Sequence, residues 1–248
     1  MAYANVQNSG KVRTNTAAGL SWTPGAAPTL NNLLTHQSWG WDASPGYTPG
    51  ATDARDSSGT PKNYTLDASL GGIAGHTNFG VACYSLVVPS GLTTPLRNAN
   101  TGVDTLVGYF AEWSGNATSS VVDATNTASG SASTPQNGPS LTTGANAGMV
   151  LSTLVIDVGS VAEAGTNFVN DAIETDNSTW QGGAAGHRFT SVASTTLNDQ
   201  FTFAGGAPWY EAVIVSYNLP AGGGFDPSTV PPLAATHALP SVPTPIGY

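Results

Sequence analysis

Two glutamates carry the pattern that glycoside hydrolysis would need. Glu112 lies in Tyr-Phe-Ala-Glu-Trp and Glu211 in Trp-Tyr-Glu-Ala, each alternating with apolar neighbours. Cleaving a glycosidic bond takes two carboxyl groups facing each other across a cleft. The alternation predicts that both acids stand on exposed or cleft-lining strand faces. Any half-solvated strand presents acids in the same way, and no second motif accompanies these two. They are read as strand-face residues, and the chain is expected not to be an enzyme.

Other chemistry has less to build on. There is no Gly-x-Ser-x-Gly elbow for a serine hydrolase. His36, His76, His187 and His237 are scattered without His-Glu-x-x-His or His-x-His spacing, so no zinc site is expected. Asp53, Asp56 and Asn63 share a polar segment, with Asp42 upstream, and such oxygen ligands suit calcium. The EF-hand spacing is missing, so they are read as solvated turn residues and no metal or cofactor is expected. The single cysteine, Cys83, excludes an internal disulfide framework. Within Asn-Phe-Gly-Val-Ala-Cys-Tyr-Ser it reads as a small core residue. Trp39, Trp41, Trp180 and Trp209 are the candidates for stacking on sugar rings.

Composition narrows the partners. Charged residues make up 8% of the chain, far below the roughly 25% of ordinary globular domains. Six cations against fifteen acids leave a net charge of -9, with no basic patch to neutralise phosphates, so neither nucleic acid nor an anionic membrane surface is an expected partner. No run approaches 18 apolar residues, which predicts no transmembrane helix. The opening MAYANVQNSGKVRTN has no positive segment followed by an apolar one, which predicts no secretory signal. A surface of Ser, Thr, Asn, Gly and Ala without an export signal suits a protein made in the cytoplasm and released by lysis, such as a virion component, and equally a mature fragment behind an added Met.

Apolar residues fall in short runs between turn signals, with little helical periodicity, which predicts an all-β antiparallel sandwich. Strands are expected at 3–8, 12–23, within 30–42, at 63–66, 78–88, 104–113, 121–129, 149–158, 187–193, 195–203 and 208–219. The aromatic runs DTLVGYFAEWSG at 104–115 and WYEAVIVSYNL at 209–219 are expected as neighbouring central strands. Val161 to Phe168 reads as a helical turn and WQGGAAG at 180–186 as loop. No fixed-period repeat can be aligned, which argues against a solenoid or propeller.

The sandwich is expected to span residues 1–219. Residues 220–248 read as an extended Pro/Gly-rich arm, with six prolines after Pro220 that forbid a helix or central strand. Leu233, Leu239, Val242, Ile246 and Tyr248 are its spaced apolar anchors, suited to lying on a neighbouring subunit.

Several segments together resemble a jelly-roll-type β-sandwich domain that recurs in bacteriophage virion proteins and secreted bacterial proteins. They are GLSWTPGAAPTLNNLL, the loop DSSGTPKNYTL, FAEWSG followed by VVDATNTAS, and the closing WYEAVIVSYNLP. The resemblance runs in order over about residues 3–219. It implies a jelly-roll-like display or binding module with no shared active site. The expected function is a structural virion protein of a tailed phage, a capsid decoration or fibre-like protein docking through its termini. Its expected partners are copies of itself and the major capsid or another virion protein. The alternative is a carbohydrate-binding module for surface glycans, and a glycoside hydrolase comes third.

Overall fold

The computed structural model describes residues 2–15, 19–41, 50, 52–56, 58–73, 76–98, 104–131, 135–156, 160–164, 168–174, 182–190, 194–204 and 209–220. Among them the chain is all-β: it has no helix, and every strand pairing is antiparallel. The arm anchors Leu233, Leu239, Val242, Ile246 and Tyr248 lie outside the described residues, as do Trp180 and His237.

The first 114 residues build one five-stranded sheet and one of four strands. The larger has the order β1 (Ala4–Thr14), β9 (Thr105–Ser114), β3 (Leu33–Trp41), β7 (His76–Val87), β6 (Thr65–Ile73). The smaller runs β2 (Leu20–Trp22), β8 (Leu92–Asn98), β4 (Thr52–Asp56), β5 (Pro61–Asn63). From residue 122 a second five-stranded sheet follows: β10 (Val122–Ser131), β19 (Trp209–Asn218), β13 (Ala147–Ile156), β16 (Gly182–Phe189), β15 (Val169–Glu174). Beside it lie β11 (Gln136–Asn137), β18 (Gln200–Ala204) and β14 (Ser160–Ala164), and the pair β12 (Leu141–Thr142) with β17 (Thr196–Leu197).

The two halves are wound in the same order. In each large sheet the first strand of the half pairs with its last, the last with β3 or its counterpart β13, then β7 or β16, then β6 or β15. The small sheets match too: β2, β8 and β4 correspond to β11, β18 and β14, with β12 and β17 continuing the first of those ladders. The repeat is one of topology, and the residues that fill it differ.

Each half has a core of its own, and a third apolar cluster joins them. Leu20, Leu34, Tyr84, Leu106 and Phe110 pack within the first half. Val150, Leu154, Phe168, Phe201 and Ile214 pack within the second. Trp39, Val81, Tyr109 and Trp113 of the first large sheet meet Met149, Leu151, Val213 and Tyr217 of the second. A strand in a large sheet is therefore covered on both faces. In β9, Leu106 and Phe110 point into the first core while Val107, Tyr109, Ala111 and Trp113 point at the other half. Double coverage explains why these strands read as continuous apolar runs.

Corresponding strands exchange roles across this interface. β1 touches β15 as β6 touches β10, and β9 meets β15 as β6 meets β19. At the centre β3 packs on its counterpart β13, where the Gln37 side-chain amide donates to the Ser152 carbonyl at 2.8 Å and the Thr153 hydroxyl at 2.9 Å. Reciprocal contact of this kind is the arrangement of an isologous dimer, realised here within one chain.

Four expectations change. The runs at 104–115 and 209–219 are not neighbours: β9 and β19 belong to different sheets and hold the same place in the two halves. Residues 4–8 and 12–14 fall in one strand, β1, with a register shift between Asn8 and Lys11 where Gly10 takes φ 60°. Ser160–Ala164 is strand rather than the start of a helical turn. The glycine-rich WQGGAAG is strand from Gly182 onward. The glycines there serve packing: a Cβ on Gly183 would collide with the Trp39 indole of the facing sheet.

Candidate functional site

Two aspartates occupy the same position in the two halves. Gln37 pairs with Cys83 in the first large sheet and Thr153 with Ala185 in the second, which aligns β7 with β16. The adjoining edge strands each carry a bulge there, between Leu66 and Ala68 in β6 and between Asn170 and Ala172 in β15. The inserted residues are Asp67 and Asp171. A bulge leaves one residue out of the ladder and re-aims its side chain, here toward the seam between the halves.

Each aspartate takes one partner from its own half and one from the other. The Ser85 hydroxyl donates to Asp67 Oδ1 at 3.0 Å, and Tyr217, on β19 of the second half, donates to Oδ2 at 2.7 Å. In the counterpart, His187 stands where Ser85 does, with Nδ1 2.8 and 2.9 Å from the Asp171 oxygens. Tyr109 of the first half supplies the crossing hydroxyl to Asp171. Trp113 and Phe189 lie against the His187 ring, at centroid distances of 4.9 and 5.0 Å.

Electrostatics separates stabilised from strained groups. Burial pushes the Asp67 carboxyl up to about 6, although the Tyr217 and Ser85 hydroxyls favour its charged form. The Tyr217 hydroxyl is raised well above its ordinary value by burial and then by Asp67. Tyr109 is raised by burial and then by the Asp171 charge. Cys83 lies 3.4 Å from the Tyr217 hydroxyl, and burial, then Asp67, raises its thiol. A thiol held protonated is a poor nucleophile.

The two glutamates are not on solvent faces, which corrects the alternation argument. Both are 0% exposed, because both faces of β9 and β19 are covered. Glu112 points into the first half's own core. It accepts from the Thr29 backbone N–H at 2.8 Å, the Asn32 amide at 2.6 Å and the Gln7 amide at 2.6 Å, tying β1 and the approach to β3 to β9. Glu211 faces the seam instead. Burial lifts its pKa to about 8, although the Ile73 backbone N–H favours its charged form. The two acids lie on different sheets and face different cores, so they do not form a catalytic pair.

The sugar-stacking candidates fare differently from one another. Trp39 is fully buried in the shared cluster, with no ring face open to a ligand. Trp41 and Trp209 are partly buried against the same cluster, and Trp209 stacks on His76 at 4.2 Å. His36 lies buried between Phe110, at 3.9 Å, and Tyr84, and burial drives its pKa down to about 3. Asp53 and Asn63 are cross-strand partners of β4 and β5. Asp42 and the Asp56 side chain lie outside the described residues. Among the described residues no three His, Cys, Asp or Glu side chains cluster as a metal site would require.

Sequence reasoning passed over Asp67, Asp171 and the tyrosines that reach them. One signal was present: Leu-Asp-Ala-Ser and Asn-Asp-Ala-Ile each set an acid inside a strand-like run. Pairing the two required the topology. What the arrangement does chemically is brace: each aspartate receives a hydroxyl from the opposite half, fixing the halves against each other. The chain matches no family model, no curated protein and no solved structure.

Proposed function

We propose that each half is a jelly roll, that the two pack into a double β-sandwich, and that the chain is a structural virion protein of a tailed phage. It would decorate the capsid or form a fibre-like element. The strand orders support the first part. A first strand beside the last, with the second, eighth, fourth and fifth in the smaller sheet, is the order that interlocked Greek keys produce. Jelly rolls serve as viral capsid and lectin domains, but a fold by itself hosts many activities.

The observation that carries the functional reading is how three of the interior acids are used. Glu112, Asp67 and Asp171 all accept hydrogen bonds that join strands or halves. That is the economy of a rigid building block with no catalytic role. The charge-poor exterior suits contact with further copies and with a major capsid or other virion protein. Residues 220–248 then act as the fastening arm, with Leu233, Leu239, Val242, Ile246 and Tyr248 seated on a neighbour.

This reading places the protein on particles. An antibody against the chain should label intact virions, and the chain should band with them in a density gradient. A chain found wholly in the soluble fraction of the lysate would remove the virion assignment.

A further inference from the structure

The two ends of the seam are filled differently. At the Asp171 end, Phe189 packs on His187 and stands 6.0 Å from Trp113. The register gives its counterpart at the other end as Val87: Phe189 pairs with Met149 as Val87 pairs with Leu33. Val87 has no ring to lay on its neighbours as Phe189 lies on His187. An open cleft of about 380 Å³ lies at this end, with Asp67 and Ser85 in its lining, Thr65 and Ser120 beside them, and Val87, Val121 and Val122 among its walls.

The lining selects a ligand class. Each Asp67 oxygen accepts one hydroxyl from the protein, and a carboxylate has about four lone-pair sites, so each can accept one donor more. An anion is repelled, since no lining residue is cationic. An alkylammonium would satisfy Asp67 but offer no acceptor to the exposed Thr65 and Ser120 hydroxyls, and no aromatic ring lines the cleft to hold its charge. A polyol meets both needs. Adjacent hydroxyls donate to the carboxylate, its oxygens accept from the rim, and its C–H face rests on the half-buried Val121 and Val122.

We propose that the Asp67 cleft binds one neutral saccharide unit through two neighbouring hydroxyls. The proposal does not depend on the virion assignment, and it puts the sugar away from the tryptophans.

The test uses the full chain and methyl glycosides of glucose, galactose, mannose and N-acetylglucosamine, followed by saturation-transfer NMR at pH 7.5. Methylammonium is the counter-probe. At least one glycoside is expected to bind with millimolar affinity. The affinity should fall about tenfold or more in Asp67→Asn, which removes a charge-assisted acceptor, and in Val87→Phe, which puts a bulky ring on the cleft wall. Binding should also weaken at pH 5, where Asp67 is protonated. Glycosides that fail to bind would overturn the proposal. So would methylammonium binding in their place, or glycoside binding that both variants leave unchanged.

Discussion

Replacing Glu112 with leucine is expected to destabilise the protein by about 2–4 kcal/mol. The carboxylate collects three donors at 2.6 to 2.8 Å in a site that water does not reach. Leucine fills a similar volume but accepts nothing. The Thr29 N–H and the Asn32 amide then lose their acceptor, and the Gln7 amide keeps only the Ala26 carbonyl. An abandoned buried donor costs more than the bond it made, roughly 1–3 kcal/mol each. Glu112→Gln keeps one acceptor but turns an NH₂ toward a donor, so its cost should be smaller, about 1–2 kcal/mol. Denaturant unfolding of the three proteins at one pH measures this. A Glu112→Leu protein as stable as the parent would mean that Glu112 is no brace. A Glu112→Gln protein that keeps its stability yet loses hydrolysis of a polysaccharide would restore the enzyme reading.

Glu211 should make the protein less stable as the solution turns alkaline. Its pKa is about 8 when folded against 4.5 in an open chain. The folded state therefore binds more protons between these values, and stability falls as pH rises from 4.5 to 8, then levels off. Each unit of pKa shift is worth about 1.4 kcal/mol, and solvent screening trims the total to roughly 2–3 kcal/mol. Asp67 adds a slope of the same sign, complete by about pH 6. His36 opposes both: it is buried neutral with a pKa near 3, so it adds stability as pH rises toward 6.5, and none beyond. Glu211 thus dominates from pH 6.5 to 8.5. The melting temperature should drop by roughly 5 °C over that window in the parent and stay level in Glu211→Gln. A parent that melts at one temperature throughout, or a variant with the same slope, would place solvent at Glu211.

The secondary structure was legible where a strand's neighbours are ordinary. β3, β7, β9, β13 and β19 all fall on segments expected as strand, because aromatic and β-branched residues cluster between turn signals. β16 was not legible, because glycine's meaning depends on what lies across the seam, and Trp39 lies nearly a hundred and fifty residues away in sequence. The duplication was hidden for a related reason. Topology fixes which positions face inward, but different residues fill them: Gln37 corresponds to Thr153, Ser85 to His187, Val87 to Phe189. The aspartates announced themselves only as acids within strand-like runs. The tyrosines that complete them come from the opposite half, and only the packed structure brings them there.

The halves pair with each other through broad sheet faces, so the proposed contacts between molecules would use other surfaces. Val6, Leu30, Leu66, Val169 and Phe189 are the exposed large apolar residues among those described, and the proposed anchors Leu233, Leu239, Val242, Ile246 and Tyr248 belong to the arm. Assembly through that arm is the central claim, and the mass of the particle in solution tests it most directly. Light scattering on the full chain should give a closed oligomer, and the same chain ending at Pro220 should give a folded monomer with an unchanged melting temperature. A full chain that is monomeric, or a truncated one that still assembles, would contradict the account.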